Sequence, residues 1–137
     1  VYVPLGSQLI SGTEHDIPAE SMRSGQAVHS TTGTLNEHPG FTTWDNFMLV
    51  PYGQSVSTQY QYSLPQITTT NETGTKQYQL TIRKQAGTRP DTVSIAVTLP
   101  DGTALIDATP NPSKIENGIV FFDIILDSDK NISVTYQ

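Results

Sequence analysis

Between residues 78 and 102 the chain reads Tyr78-Gln-Leu-Thr-Ile-Arg-Lys-Gln-Ala-Gly-Thr-Arg-Pro-Asp-Thr-Val-Ser-Ile-Ala-Val-Thr-Leu-Pro-Asp-Gly102. Tyr78, Leu80 and Ile82 fall on one face of a first alternating run, and Val93, Ile95, Val97 and Leu99 on one face of a second. A period of two marks a strand buried on one side only. Two such runs around a Gly- and Pro-bearing connection predict a hairpin. The stretch sets the class of the molecule and carries no reactive chemistry.

The same pattern extends outward. Val56, Thr58, Tyr60, Tyr62 and Leu64 share one face of a run whose other face is Ser55, Ser57, Gln59, Gln61 and Ser63. Phe41 to Val50 reads as a strand closed by a Pro51-Tyr-Gly53 turn, and Thr68 to Gly74 as a polar loop. In Ile115 to Leu126, Val120, Phe122, Ile124 and Leu126 face one way and Phe121 and Ile125 the other, which predicts a central strand covered on both sides. Ile132, Val134 and Tyr136 form a last strand after the turn-rich Asp127–Asn131. Residues 11–40 are punctuated by Gly and Pro and read as a long irregular region with at least one short strand, at Gln26–Ser30. The expected fold is all-β: an antiparallel two-sheet β-sandwich, immunoglobulin-like in the loose sense, of seven to nine strands, forming a single domain over 1–137.

Composition agrees with a folded β domain. Hydrophobic residues make up 35% and charged residues 15%, the balance being rich in strand-face and turn residues. A net charge of −6 argues against nucleic acid, whose phosphates need clustered Lys and Arg. The absence of Cys excludes disulfides and thiolate chemistry, and fits an oxidising compartment outside the cytoplasm. No apolar run approaches the roughly 20 residues needed to span a bilayer, so no membrane contact by this chain itself is expected. Opening on Val1 in what reads as a strand, it is expected to be a fragment of a longer protein.

The candidate constellations each have a plain structural reading. Asp127, Asp129 and Asn131 have the spacing that opens a calcium loop, but the sixth position is Ile132 rather than Gly, which favours an acidic turn. His15, His29 and His38, with Glu14, Asp16, Glu20 and Glu37, lack the regular spacing of a zinc motif and read as surface residues. No Gly-x-Ser-x-Gly elbow is present, and Asp91, Asp101 and Asp107 sit in turn contexts that suit solvated carboxylates. The sequons at Asn71 and Asn131 read as chance matches. An intramolecular crosslink of Lys76 or Lys84 with Asn131, assisted by Asp123, is set against an outward-facing Asp123 with ordinary hydration, and the latter is favoured. No catalytic residue, metal or cofactor is therefore expected. Among the aromatics, Trp44 and Tyr52 lie at strand ends and are the possible ligand contacts.

Val1-Tyr-Val-Pro-Leu-Gly-Ser-Gln-Leu-Ile-Ser-Gly12, Val50-Pro-Tyr-Gly53, Tyr60-Gln-Tyr-Ser-Leu-Pro65, Tyr78–Thr88, Val97-Thr-Leu-Pro-Asp-Gly102 and Leu126-Asp-Ser-Asp129 occur in that order. Together they resemble the C-terminal region of a bacterial envelope family, domain of unknown function four-zero-one-two, with Ala86 where that family has Pro. The resemblance implies a large membrane-anchored protein projecting outward, with this β module at its far end and no established activity. The expected function is a non-enzymatic, extracytoplasmic structural or interaction module of the bacterial cell envelope, meeting an envelope protein or glycan. The alternative is a carbohydrate-binding module using Trp44 and Tyr52 as exposed aromatics.

Overall fold

The computed structural model describes residues 1–35 and 39–137. Its regular structure is nearly all β: fourteen strands in five antiparallel sheets among the described residues, rather than seven to nine, with one short 3-10 turn at Ala19–Ser21 and no α-helix. No helix among these residues is long and apolar enough to cross a membrane. The chain divides into two compact units, Val1–Gln66 and Ile67–Gln137, where the sequence predicts one domain.

In the first unit, β1 (Tyr2–Pro4), β2 (Gln8–Gly12), β3 (His15–Ile17), β4 (Val28–Ser30), β5 (Gly33–Leu35), β6 (Phe41–Asp45) and β7 (Tyr60–Ser63) are all short. They form one sheet of order β1-β6-β5 and two pairs, β2-β7 and β3-β4. The described part of 11–40 holds three short strands, β3, β4 and β5, and the strand predicted at Gln26–Ser30 is the shorter β4. Val3, Ile17 and Trp44 are buried, and the Trp44 ring packs 5.1 Å from Tyr62. Strand β6 stops at Asp45, five residues before the predicted end, because Asn46 leaves the ladder to bond elsewhere. Of the residues predicted to share one face of the 55–64 run, Val56, Thr58 and Tyr60 are half-buried whereas Tyr62 and Leu64 are exposed, and only Tyr60–Ser63 find a strand partner.

The second unit holds β8 (Thr68–Thr70), β9 (Lys76–Ile82), β10 (Asp91–Thr98), β11 (Leu105–Thr109), β12 (Lys114–Glu116), β13 (Ile119–Leu126) and β14 (Lys130–Tyr136). One sheet has order β10-β13-β12 and the other β11-β14-β9-β8. A single apolar cluster draws on both: Val120 and Phe122 of β13 with Ile132, Val134 and Tyr136 of β14 are buried in it, together with Leu99. Tyr78, Leu80, Ile82, Ile95, Val97 and Ile124 pack against it, so the alternation predicts the inward face of every long strand.

The pairing differs from the expectation. The two alternating runs of 78–102 are β9 and β10, yet they do not form a hairpin: β9 pairs with β8 and β14, and β10 with β13. Residues 83–90 carry the chain from one sheet to the other, and the Lys84 ammonium organises this bend by donating to the Gln85 carbonyl (3.0 Å) and to Thr88. Tight reversals occur where local chemistry demands them. Asn117 and Gly118 both have positive φ (50° and 74°), the geometry of a two-residue hairpin turn, and they split the predicted 115–126 strand into β12 and β13. At the β8–β9 turn, the Asn71 side-chain oxygen accepts from the amides of Thr73 (3.1 Å) and Thr75 (2.8 Å). Strand β13 is central in its sheet as predicted, but Ile125 is 63% exposed, so its outer face is not covered.

Candidate functional site

The β3–β4 hairpin brings Asp16 opposite His29. His29 Nδ1 lies 2.7 Å from Asp16 Oδ1 and its Nε2 lies 3.3 Å from Glu14 Oε2. The hydrogen bond to Asp16 and then its charge raise the His29 pKa; desolvation opposes them, and Glu14 adds smaller contributions upward. Both ring nitrogens face carboxylates on opposite sides of the ring, so these donors do not converge on a common point. His15 turns away to Thr58, 2.9 Å from its hydroxyl. Glu20 lies in the 3-10 turn, and Glu37 and His38 fall outside the described residues. Among the described residues no group of three His, Cys, Asp or Glu is placed to hold a metal ion.

The Asp127–Asn131 turn scatters its oxygens. Asp127 Oδ1 receives the Lys130 ammonium at 2.5 Å, which lowers its pKa. Asp129 accepts from the Lys84 amide at 2.8 Å, and Asn131 from the Thr81 hydroxyl at 2.8 Å. The crosslink geometry is not assembled. Lys84 is held by its own loop, Lys76 stands opposite Tyr136 at the other end of the ladder from Asn131, and Asp123 belongs to the other sheet. Asp123 is exposed and accepts from the Ser94 hydroxyl at 2.6 Å, the main cause of its lowered pKa.

Trp44 and Tyr52 have opposite fates. Trp44 is 2% exposed and faces the interior of the first unit, so it offers no face to a ligand, contrary to the expectation of an exposed aromatic. Trp44 lies in β6, the middle strand between β1 and β5, and both it and its neighbour Thr43, which points to the opposite face, are buried. Tyr52 is fully exposed at the tip of a turn closed by the Gln54 amide on the Pro51 carbonyl (3.0 Å).

Around Tyr52 lies a feature the alternation did not reveal. Phe47 (51% exposed), Met48, Leu49 and Val50 are all exposed large apolar residues, contiguous in sequence and lying outside any strand. From Asn46 to Asn71 the chain has no Asp, Glu, Lys, Arg or His. The signal in the sequence is the failure of alternation: four successive apolar residues cannot all face a core from a half-buried strand.

The root of this segment is fixed by a polar node. Asn46 Nδ2 donates to the Thr13 carbonyl at 2.5 Å, and its Oδ1 accepts from the Ser30 hydroxyl at 2.9 Å. Ser30 Oγ in turn accepts from the Phe47 amide at 2.9 Å. Asn46 thereby ties the β2–β3 joint and the end of β4 to the point where the apolar segment departs. Such an arrangement presents apolar surface from a fixed base.

No protein-family model matches the chain, and no curated protein or solved structure matches it.

Proposed function

We propose that the chain is a non-enzymatic structural and interaction module of a bacterial cell-envelope protein, displayed outside the cytoplasm, and that it meets its partner through Phe47–Tyr52. The observation that carries this reading is the contiguous exposure of Phe47, Met48, Leu49, Val50 and Tyr52 in an uncharged segment rooted on Asn46. Contiguous apolar surface on a folded protein marks a contact site. The absence of Cys and the resemblance of the ordered motifs to an envelope family support the location. A glycan platform built on two aromatics loses its support, since Trp44 is buried.

The second unit is, in this reading, a two-sheet β-sandwich serving as a rigid element. Support comes from the shared apolar cluster fed by β13 and β10 of one sheet and β9, β11 and β14 of the other. Its strand order is not that of an immunoglobulin domain: the last strand, β14, lies inside its sheet between β11 and β9, whereas an immunoglobulin domain ends on a strand of the other, three-stranded sheet.

Co-sedimentation of the purified chain with bacterial envelope preparations tests the contact. Binding is expected for the native chain and lost in Leu49→Ser/Tyr52→Ser, with the thermal transition unchanged. Binding indifferent to that pair refutes the assignment. Location is tested separately with Ser57→Cys in the parent protein, whose new thiol should react with a membrane-impermeant maleimide on intact cells.

A further inference from the structure

The second unit has four sheet edges, and three of them are built in ways that discourage strand addition. Strand β12 is three residues long and carries Lys114 and Glu116, paired at 2.6 Å. Strand β8 is also three residues long. Strand β11 carries Asp107 and a register shift between Leu105 and Asp107. Short, charged or irregular edges are the ordinary means by which sheets avoid pairing with another chain.

Strand β10 has none of these. It is eight residues long, and its register with β13 runs without a break from Asp91↔Leu126 to Thr98↔Ile119. It contains no Lys, Arg, Pro or Gly, and its one charge is Asp91 at the end. Its inward residues Val93, Ile95 and Val97 are only half-buried, although Ile95 and Val97 stand opposite the buried Phe122 and Val120 of β13. The apolar cluster is therefore closed on the β13 side and open at the β10 edge.

The sequence of β10 selects the occupant. Thr92-Val-Ser-Ile-Ala-Val-Thr98 reads nearly the same in both directions, differing only by exchange of Ser94 and Ala96. In antiparallel pairing, residues directly opposite one another point to the same face, and β-branched pairs there are favourable. Pairing β10 with itself about Ile95 sets Ile95 against Ile95 and Val93 against Val97 on the inner face. On the outer face it sets Thr92 against Thr98 and Ser94 against Ala96, all small and exposed. Each Asp91 then lies opposite Leu99, about 25 Å from the other Asp91 at strand rise, so the like charges do not meet. We propose that β10 is a homodimerisation edge, pairing antiparallel with β10 of a second copy about Ile95 and joining two three-stranded sheets into one of six strands.

Sedimentation equilibrium over a wide concentration range, on the full chain, tests this with two charge variants. Ser94→Lys/Ala96→Lys puts Lys opposite Lys twice across the pair and is expected to weaken dimerisation about tenfold or more. Ser94→Lys/Ala96→Glu puts Lys opposite Glu twice and is expected to restore it. Both share the same loss at Ser94, so their difference reads position 96 across the interface. A second readout uses the absence of other thiols. Ile95→Cys faces itself and is expected to crosslink rapidly with diamide, whereas Thr98→Cys faces Thr92 and is expected to crosslink slowly. A monomer at every concentration, a dimer indifferent to both charge variants, or equal crosslinking of the two thiols overturns the proposal. So does β10 amide protection that appears only when an unrelated extended peptide is added.

Discussion

Replacing Asn46 by Ala removes two hydrogen bonds of ordinary length or shorter, the donation to the Thr13 carbonyl and the acceptance from Ser30. Each such bond contributes about 1 kcal/mol net, and a partly buried partner left unpaired costs up to about 3 kcal/mol. Both partners here are part-buried and water reaches them incompletely, so the expected loss is about 2–3 kcal/mol. For a unit the size of Val1–Gln66 that corresponds to a fall in Tm of roughly 10–20 °C. The assay is built into the sequence. Trp44 is the single tryptophan and is buried in the first unit, so its fluorescence in urea reports the unfolding of that unit alone. The Phe47 amide, bonded to Ser30 Oγ, should exchange faster with solvent in the same variant. Asn46→Asp sharpens the test: it keeps the acceptor for Ser30 but sets a carboxylate against the Thr13 carbonyl. It should be destabilised at neutral pH and recover as the carboxyl is protonated. An Asn46→Ala protein within about 0.5 kcal/mol of the native one, the range of an ordinary surface change, would refute the view of Asn46 as the anchor of the apolar segment.

In the second unit, Phe122→Ala removes a fully buried ring and should cost about 3–5 kcal/mol by urea titration followed by circular dichroism, while Ile125→Ala on the exposed face stays within about 0.5 kcal/mol. A comparable cost for both would contradict the assignment of inner and outer faces. His29 should titrate above its ordinary 6.5 in an NMR titration, and Asp16→Asn should bring it down. Because the folded-state pKa is raised, the stabilisation is fully present below 6.5 and is lost as pH rises through the folded value; a His29 that titrates at or below 6.5 would show that the carboxylates do not hold it. A Cβ added at Gly12 would run into the Thr32 hydroxyl, so Gly12→Ala should be destabilised by about 1–3 kcal/mol and Gly12→Ala/Thr32→Ala by less than the single change.

The faces of strands were legible in the sequence, and their partners were not. Tyr78, Leu80 and Ile82 point inward as alternation requires, because the backbone fixes the two-residue period locally. Whether β9 pairs with β10 or with β14 depends on the path of residues 83–90, which the Lys84 contacts with Gln85 and Thr88 shape. Alternation says nothing about such a bend. The Asn117-Gly118 turn carried the strongest local hairpin signature in the chain, and reading 115–126 as one strand passed over it. Trp44 shows the same limit from another side. A strand-end aromatic can face either way, and its burial follows from pairing of its strand with the adjacent β5 and with β1, which is distant in sequence. The exposed Phe47–Val50 segment was hidden because apolar runs are read as core by default. Its root, Asn46, depends on Thr13 and Ser30, more than a dozen residues away.

The two proposed contact surfaces differ in the assembly they permit. Phe47–Val50 lies outside the ladders and is followed by the Pro51–Gln54 turn, so a partner meets side chains without being offered a long, regular strand edge. Strand β10 offers backbone as well, and an open edge on a β protein is ordinarily a route to unlimited pairing. Its near-palindrome changes the consequence. A strand that pairs best with its own reverse uses the same edge on both copies, and an isologous contact of that kind closes on itself. Once two β10 strands meet, neither copy has that edge left. The remaining edges of the second unit, β12, β8 and β11, carry short lengths, charges or a register shift that discourage further growth. A dimer is then the natural end point of the proposed pairing, and each copy brings its own Phe47–Tyr52 segment. The proposed edge pairing thus predicts an assembly with two copies of that segment, the number that avidity requires.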